Sequence, residues 1–108
     1  MDIKKQIAQL PHAPGVYQIL DARGIILYVG KAKDIRKRVT QHFQKSKNAP
    51  AKNARMLTLV QTINKIQTDT ELEALILECT LIKEHHPKYN VLLRDDKNFL
   101  YIKISGNI

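Results

Sequence analysis

At 108 residues the chain holds one compact core but not two, since a domain of this size buries roughly 60 to 70% of the surface its unfolded form exposes. Its 18 Lys and Arg against 10 Asp and Glu give 18 − 10 = +8 and a sequence pI near 9.8, a balance that favours a polyanionic partner. A single cysteine, Cys79, excludes an internal disulfide and a cysteine-rich zinc site, and no apolar run approaches the roughly 18 to 20 residues that cross a bilayer.

Residues 2–10 carry Ile3, Ile7 and Leu10 at helical spacing, and the stretch from Pro11 to Pro14 ends that short leading helix. Its polar start, Met1-Asp2-Ile3-Lys4-Lys5, lacks the apolar core of a secretory signal, so a cytosolic location is expected. Residues 15–20 and 25–29 are rich in β-branched and aromatic side chains, and Asp21-Ala22-Arg23-Gly24 between them are turn formers. That pair reads as an antiparallel hairpin. Residues 33–43 place Ile35, Val39, His42 and Phe43 on one side of a helix whose start Asp34 is suited to cap. Residues 45–52, polar and interrupted by Pro50, read as an exposed loop.

A second helix is predicted over 54–63 through Met56, Leu57, Leu59 and Val60, with a short strand over 65–68. Thr70-Glu71-Leu72-Glu73 is a capping box. The Thr70 hydroxyl accepts from an otherwise unpaired backbone N–H while Glu73 reaches back, so a helix over 70–84 follows, and Pro87 closes it. Two apolar runs, 89–93 and 99–104, read as extended segments.

The positive charge is concentrated: residues 31–55 contain nine Lys and Arg and one acid, Asp34. Such a stretch attracts nucleic acid through counterion release, although a solvated helix face has the same composition. It lacks the bulky apolar face of an interfacial helix, so no membrane partner is expected.

Glu78 is the residue that physical chemistry singles out. Its helical neighbours Ala74, Leu75, Leu81 and Ile82 are all apolar, and a carboxylate there needs a cation or a strong donor opposite it. A structural ion pair would satisfy that need as well as a metal would. Tyr17 and Tyr28 face each other across the predicted hairpin within Gly15-Val16-Tyr17 and Tyr28-Val29-Gly30, a pairing that packing alone would also explain. Arg38 and His42, four apart on one helix face, offer a phosphate-matching guanidinium and a group able to hold a proton near neutral pH. A carboxylate for a metal, cations for developing charge and a group to activate water are what phosphodiester hydrolysis requires. Gly30-Lys31 lacks the upstream glycine and the following Ser or Thr of a nucleotide-binding loop.

With Gly15-Val16-Tyr17 and Tyr28-Val29-Gly30-Lys31-Ala32-Lys33-Asp34, then Arg38 and Pro87-Lys88-Tyr89-Asn90, the chain resembles the GIY-YIG endonuclease superfamily, and within it the UvrC type of N-terminal nuclease domain. The resemblance runs from Leu10 to about Ile104. It implies an α+β fold, a small three-stranded antiparallel sheet flanked by helices, and incision of one DNA strand on the 3′ side of a lesion with one divalent metal ion, Mg²⁺ or Mn²⁺.

By the same resemblance Glu78 is the metal ligand, Tyr17 and Tyr28 are the paired tyrosines, and Arg38 and Lys31 stabilise charge. His42 stands where the UvrC branch has tyrosine, which alters the proton chemistry expected there. Gly30, Lys33, Lys37 and Asn90 are expected to support the site or meet DNA. Cys79-Thr80 after Glu78 departs from the family pattern and puts the hydrogen bonding around that carboxylate in question.

The expectation is thus a single nuclease domain, residues 1–108, belonging to a longer chain whose other regions bind a damage-recognition partner of the UvrB type. A non-catalytic nucleic-acid-binding module of the same fold is the rival reading, motivated by His42 and Thr80.

Overall fold

A computed structural model describes residues 2–44 and 51–94. The elements run α1 (Ile3–Ala8), β1 (Gly15–Leu20), β2 (Ile26–Ala32), α2 (Ile35–Phe43), α3 (Ala51–Leu59), β3 (Thr62–Gln67), α4 (Glu71–His85) and α5 (Lys88–Arg94). The three strands form one antiparallel sheet in the order β2-β1-β3, as the α+β expectation required. No helix among the described residues is long and apolar enough to cross a membrane.

The hairpin is held by its turn. Asp21 Oδ1 accepts from the backbone N–H of Arg23 (2.8 Å) and of Ile25 (3.0 Å), and Gly24 takes the left-handed φ of 80° that closes it. The second strand starts one residue later than the sequence suggested and continues to Ala32, because Gly30, Lys31 and Ala32 stay paired with Tyr17, Val16 and Gly15. Asp34 then caps α2 by accepting from Lys37 N–H at 3.0 Å, and its carboxylate also holds His12 Nδ1 at 2.8 Å. The capping box at Thr70 and Glu73 is present with both of its hydrogen bonds.

Alternation along the strands sends two sets of side chains to opposite faces. Tyr17, Ile19 and Tyr28 pack with Ile35, Val39, Met56 and Tyr89, the main core. Val16 and Val29 pack on Ala74, with Leu77, Leu81 and Ile82 of α4 around them. One sheet therefore separates a helix-rich layer from a single long helix.

Three sequence expectations are corrected. The second helix, expected over 54–63, is Ala51–Leu59, and the strand expected over 65–68 is Thr62–Gln67, because Ile63 pairs with Ile19 and is buried beneath it. Ala51 and Lys52 accordingly lie in α3 rather than in the loop. The run at 89–93, expected to be extended, is helical as α5. A short apolar run fits either state by pattern; here the helical form covers the outer edge of β2 with the Asn90 side chain, where an extended segment would dock as a fourth strand. The rest of the expected loop over 45–52 and the segment expected at 99–104 lie outside the described residues.

Both sheet edges are closed by amide side chains. On β2, Asn90 Oδ1 accepts from Val29 N–H (2.8 Å) and its Nδ2 donates to Val29 C=O (2.9 Å). On β3, Gln6 Oε1 accepts from Ile63 N–H (2.8 Å) while its Nε2 donates to Gln61 C=O (3.0 Å). Each replaces the hydrogen bonds a further strand would supply.

Candidate active site

The register places Tyr17 opposite Gly30 and Ile19 opposite Tyr28, so the two tyrosines are diagonal neighbours on one face of the hairpin. Their ring centroids lie 6.1 Å apart at 41°. His42 comes down from α2 edge-on to both, 5.8 Å from the Tyr17 ring and 5.1 Å from the Tyr28 ring. Its Nδ1 is 2.8 Å from the Tyr17 hydroxyl, and its Nε2 is 2.8 Å from Oδ1 of Asn53 on α3. Both His42 and Asn53 are buried.

Glu78 reaches the same region from the other layer. Its Oε2 accepts from the backbone N–H of Lys31 at 3.0 Å, on the same edge of β2 that Asn90 covers two residues earlier. Burial raises the Glu78 pKa, opposed by that hydrogen bond and by the charges of Lys31 and Arg38. The donor demanded by its apolar helix surface is thus a strand amide, and Oε1 takes no hydrogen bond from the described residues. Among those residues no group of three or more His, Cys, Asp or Glu forms a closed metal cage. One carboxylate with a spare oxygen suits a hard divalent cation that keeps most of its waters, as Mg²⁺ does.

Desolvation pushes Tyr17 well above the ordinary phenol value and Tyr28 up to about 12. The negative charge of Glu78 pushes both further, and Arg38 opposes it. A cation on Glu78 would reverse the carboxylate's effect on the pair. The His42 imidazole is driven down to about 4 by burial and is neutral at physiological pH.

Residues 13–91 match the model of the UvrC-like GIY-YIG domain. The chain belongs to that family. It is 56% identical over 106 residues to the UvrABC system protein C of Alkaliphilus oremlandii and 52% identical over 108 residues to that of Caldicellulosiruptor saccharolyticus. These matches cover 98% and 100% of this chain, which spans about 17 to 18% of the length of those relatives. Among solved structures it is similar to the GIY-YIG N-terminal endonuclease domain of UvrC from Thermotoga maritima bound to its catalytic divalent cation, magnesium. There the TM-score is 0.72 at 35% identity, covering 83% of this chain and 99% of that one.

In this GIY-YIG domain the two glycine triplets interlock. A Cβ on Gly30 would sit 2.5 to 2.7 Å from Cζ, Oη and Cε1 of Tyr17, so the tyrosine of the first triplet requires the glycine of the second. A Cβ on Gly15 would meet the Ile66 carbonyl oxygen. Arg38 is half-buried beside the tyrosines, and Asn90 secures the strand that carries Tyr28. Lys33 and Lys37 are exposed on the outer surface and belong to no contact within the tyrosine cluster.

The unusual pair after Glu78 leaves the carboxylate untouched: the Thr80 hydroxyl donates to the Ile76 carbonyl and Cys79 is exposed. Sequence reasoning missed Asn53. Extending the Met56 and Leu57 stripe back one turn would have found it, as a carboxamide on the apolar side of a helix.

Proposed function

We propose that this domain is a divalent-metal-dependent DNA endonuclease that makes the 3′-side incision in bacterial nucleotide excision repair. The observation that carries the reading is the convergence of Glu78, with its raised pKa and spare Oε1, on the edge of the strand presenting Tyr28, with Arg38 and Lys31 close enough to lower the carboxylate's pKa.

Glu78 holds the ion, Mg²⁺ in the reading favoured by its oxygen-only donor and Mn²⁺ as the other candidate. When bound, the ion supplies Lewis-acid polarisation of a phosphoryl oxygen and stabilises the leaving group. Arg38 offsets negative charge developing on the phosphate, and Lys31 adds to the same field. Tyr28 meets the attacking water, because it keeps 8% exposure while Tyr17 keeps 1% and has its hydroxyl tied to His42. Lys33 and Lys37, exposed near the start of α2, track the DNA backbone. Lesion recognition and binding of a UvrB-type partner belong to regions outside this chain, and the setting is cytoplasmic.

The test is nicking of duplex DNA carrying a lesion, with Mg²⁺ or Mn²⁺, by the parent and by Glu78→Ala. Metal-dependent cleavage lost in the variant supports the assignment; cleavage that survives it removes Glu78 from the chemistry. Salt-sensitive DNA binding with no cleavage under either metal would instead leave a binding module.

A further inference from the structure

Within the tyrosine cluster the fold dictates which nitrogen of the His42 ring carries a hydrogen. A carboxamide oxygen only accepts, so the 2.8 Å contact between His42 Nε2 and Asn53 Oδ1 requires the hydrogen on Nε2. A neutral imidazole carries a single N–H, which leaves Nδ1 bare. The Tyr17 hydroxyl at 2.8 Å must then be the donor to Nδ1.

We infer that Asn53 is a positioning residue for the tyrosine cluster, fixing the His42 tautomer and through it the direction in which Tyr17 donates its hydrogen. Its effect passes to Arg38. The Arg38 guanidinium, which has donors only, hydrogen-bonds the Tyr17 oxygen, and it finds lone pairs there because the hydroxyl hydrogen is committed to His42. In the other tautomer Nδ1–H would donate to Tyr17 and take one of those lone pairs, and the hydroxyl hydrogen would turn from His42 toward Tyr28, its other hydrogen-bond neighbour, which changes the acceptor Arg38 meets. The guanidinium seat depends, two hydrogen bonds away, on a carbonyl in α3.

The placement of Asn53 argues for such a role. It is 3% exposed on the inward side of α3, one turn before the fully buried Met56. Asparagine is a poor helix former, and its burial is unfavourable unless the amide is satisfied. Here its oxygen is satisfied by the imidazole. Burial also keeps that imidazole neutral, so the tautomer is a defined state at working pH.

The effect on turnover rests on the nuclease reading; the tautomer does not. The experiment is ¹⁵N NMR of the histidine-labelled domain at pH 8, alongside single-turnover nicking. The parent should show His42 protonated at Nε2 and bare at Nδ1. Asn53→Leu, similar in size and without an acceptor, should populate the Nδ1–H form and slow the chemical step about tenfold, the rate equivalent of one lost hydrogen bond, with DNA affinity within about twofold. Asn53→Asp, which accepts the same hydrogen, should keep the parent tautomer and restore the rate.

A parent His42 protonated at Nδ1 overturns the inference outright, whether or not any variant folds. So does an Asn53→Leu protein with unchanged tautomer and rate, or an Asn53→Asp protein that behaves like Asn53→Leu. If the parent shows the expected tautomer but never nicks DNA, the nuclease reading fails while the assignment of Asn53 to His42 stands.

Discussion

Gly30→Ala should be among the most damaging small substitutions in this domain. The added Cβ would lie 2.5 Å from Cζ, 2.6 Å from Oη and 2.7 Å from Cε1 of Tyr17, against the 3.5 to 4.0 Å at which carbon atoms rest. The ring must retreat by about 1 Å, yet Tyr17 is 1% exposed and its hydroxyl is held by His42, itself buried. Overpacking of this kind costs roughly 1 to 3 kcal/mol, and loss of the Tyr17 to His42 hydrogen bond adds about 1 kcal/mol. The sum, about 2 to 4 kcal/mol, lowers the melting temperature by roughly 10 to 30 °C in a domain of this size. Thermal melts of the parent, Gly30→Ala, Tyr17→Ala and the double variant measure it. With the ring removed, the alanine at position 30 should cost under about 1 kcal/mol, since no side chain then opposes it. A Gly30→Ala protein melting within about 3 °C of the parent, or an equal penalty in both backgrounds, would refute the interlock.

Three further outcomes follow from the same geometry. Glu78 has a raised pKa, so the folded form holds its proton more tightly than the unfolded form; its contribution to stability is present below the ordinary carboxylate pKa and lost as pH rises through the folded value. Glu78→Gln should therefore melt higher than the parent at pH 7 in chelator, with the gap closing near pH 4, and a lower melt at pH 7 would contradict this. His42 shows the opposite sign: its pKa falls from 6.5 to about 4, so stability is full above pH 6.5 and drains by about 3 kcal/mol as pH falls to 4, a slope that His42→Gln should remove and that denaturant titrations at stepped pH would read. Asn90→Ala should expose the Val29 amide on the open edge of β2, costing about 1 to 3 kcal/mol and speeding hydrogen exchange at Val29 beyond the global change; unchanged exchange there would mean the carboxamide does not hold the strand.

The sequence alone determined what short spacing controls. The Thr70 capping box, the Asp34 cap and the turn at Asp21 rest on contacts a few residues apart, and each stands where local chemistry put it. Glu78 was legible for the same reason: its helical neighbours at three and four residues showed a carboxylate without local company. The roles of Tyr17, Tyr28 and Gly30 needed the motif as a whole, because each alone passes for a packing or turn residue.

Only the tertiary structure decided which groups answer one another across the chain. Glu78 meets an amide 47 residues away and Asn90 an amide 61 away, both on the edge of β2. The run at 89–93 meets the same edge as α5, through the Asn90 side chain rather than as an added strand. Asn53 belongs to the same class. Its meaning appears only when α2 brings His42 to 2.8 Å. Local periodicity says which side of an element is buried, and packing alone says what that side will meet.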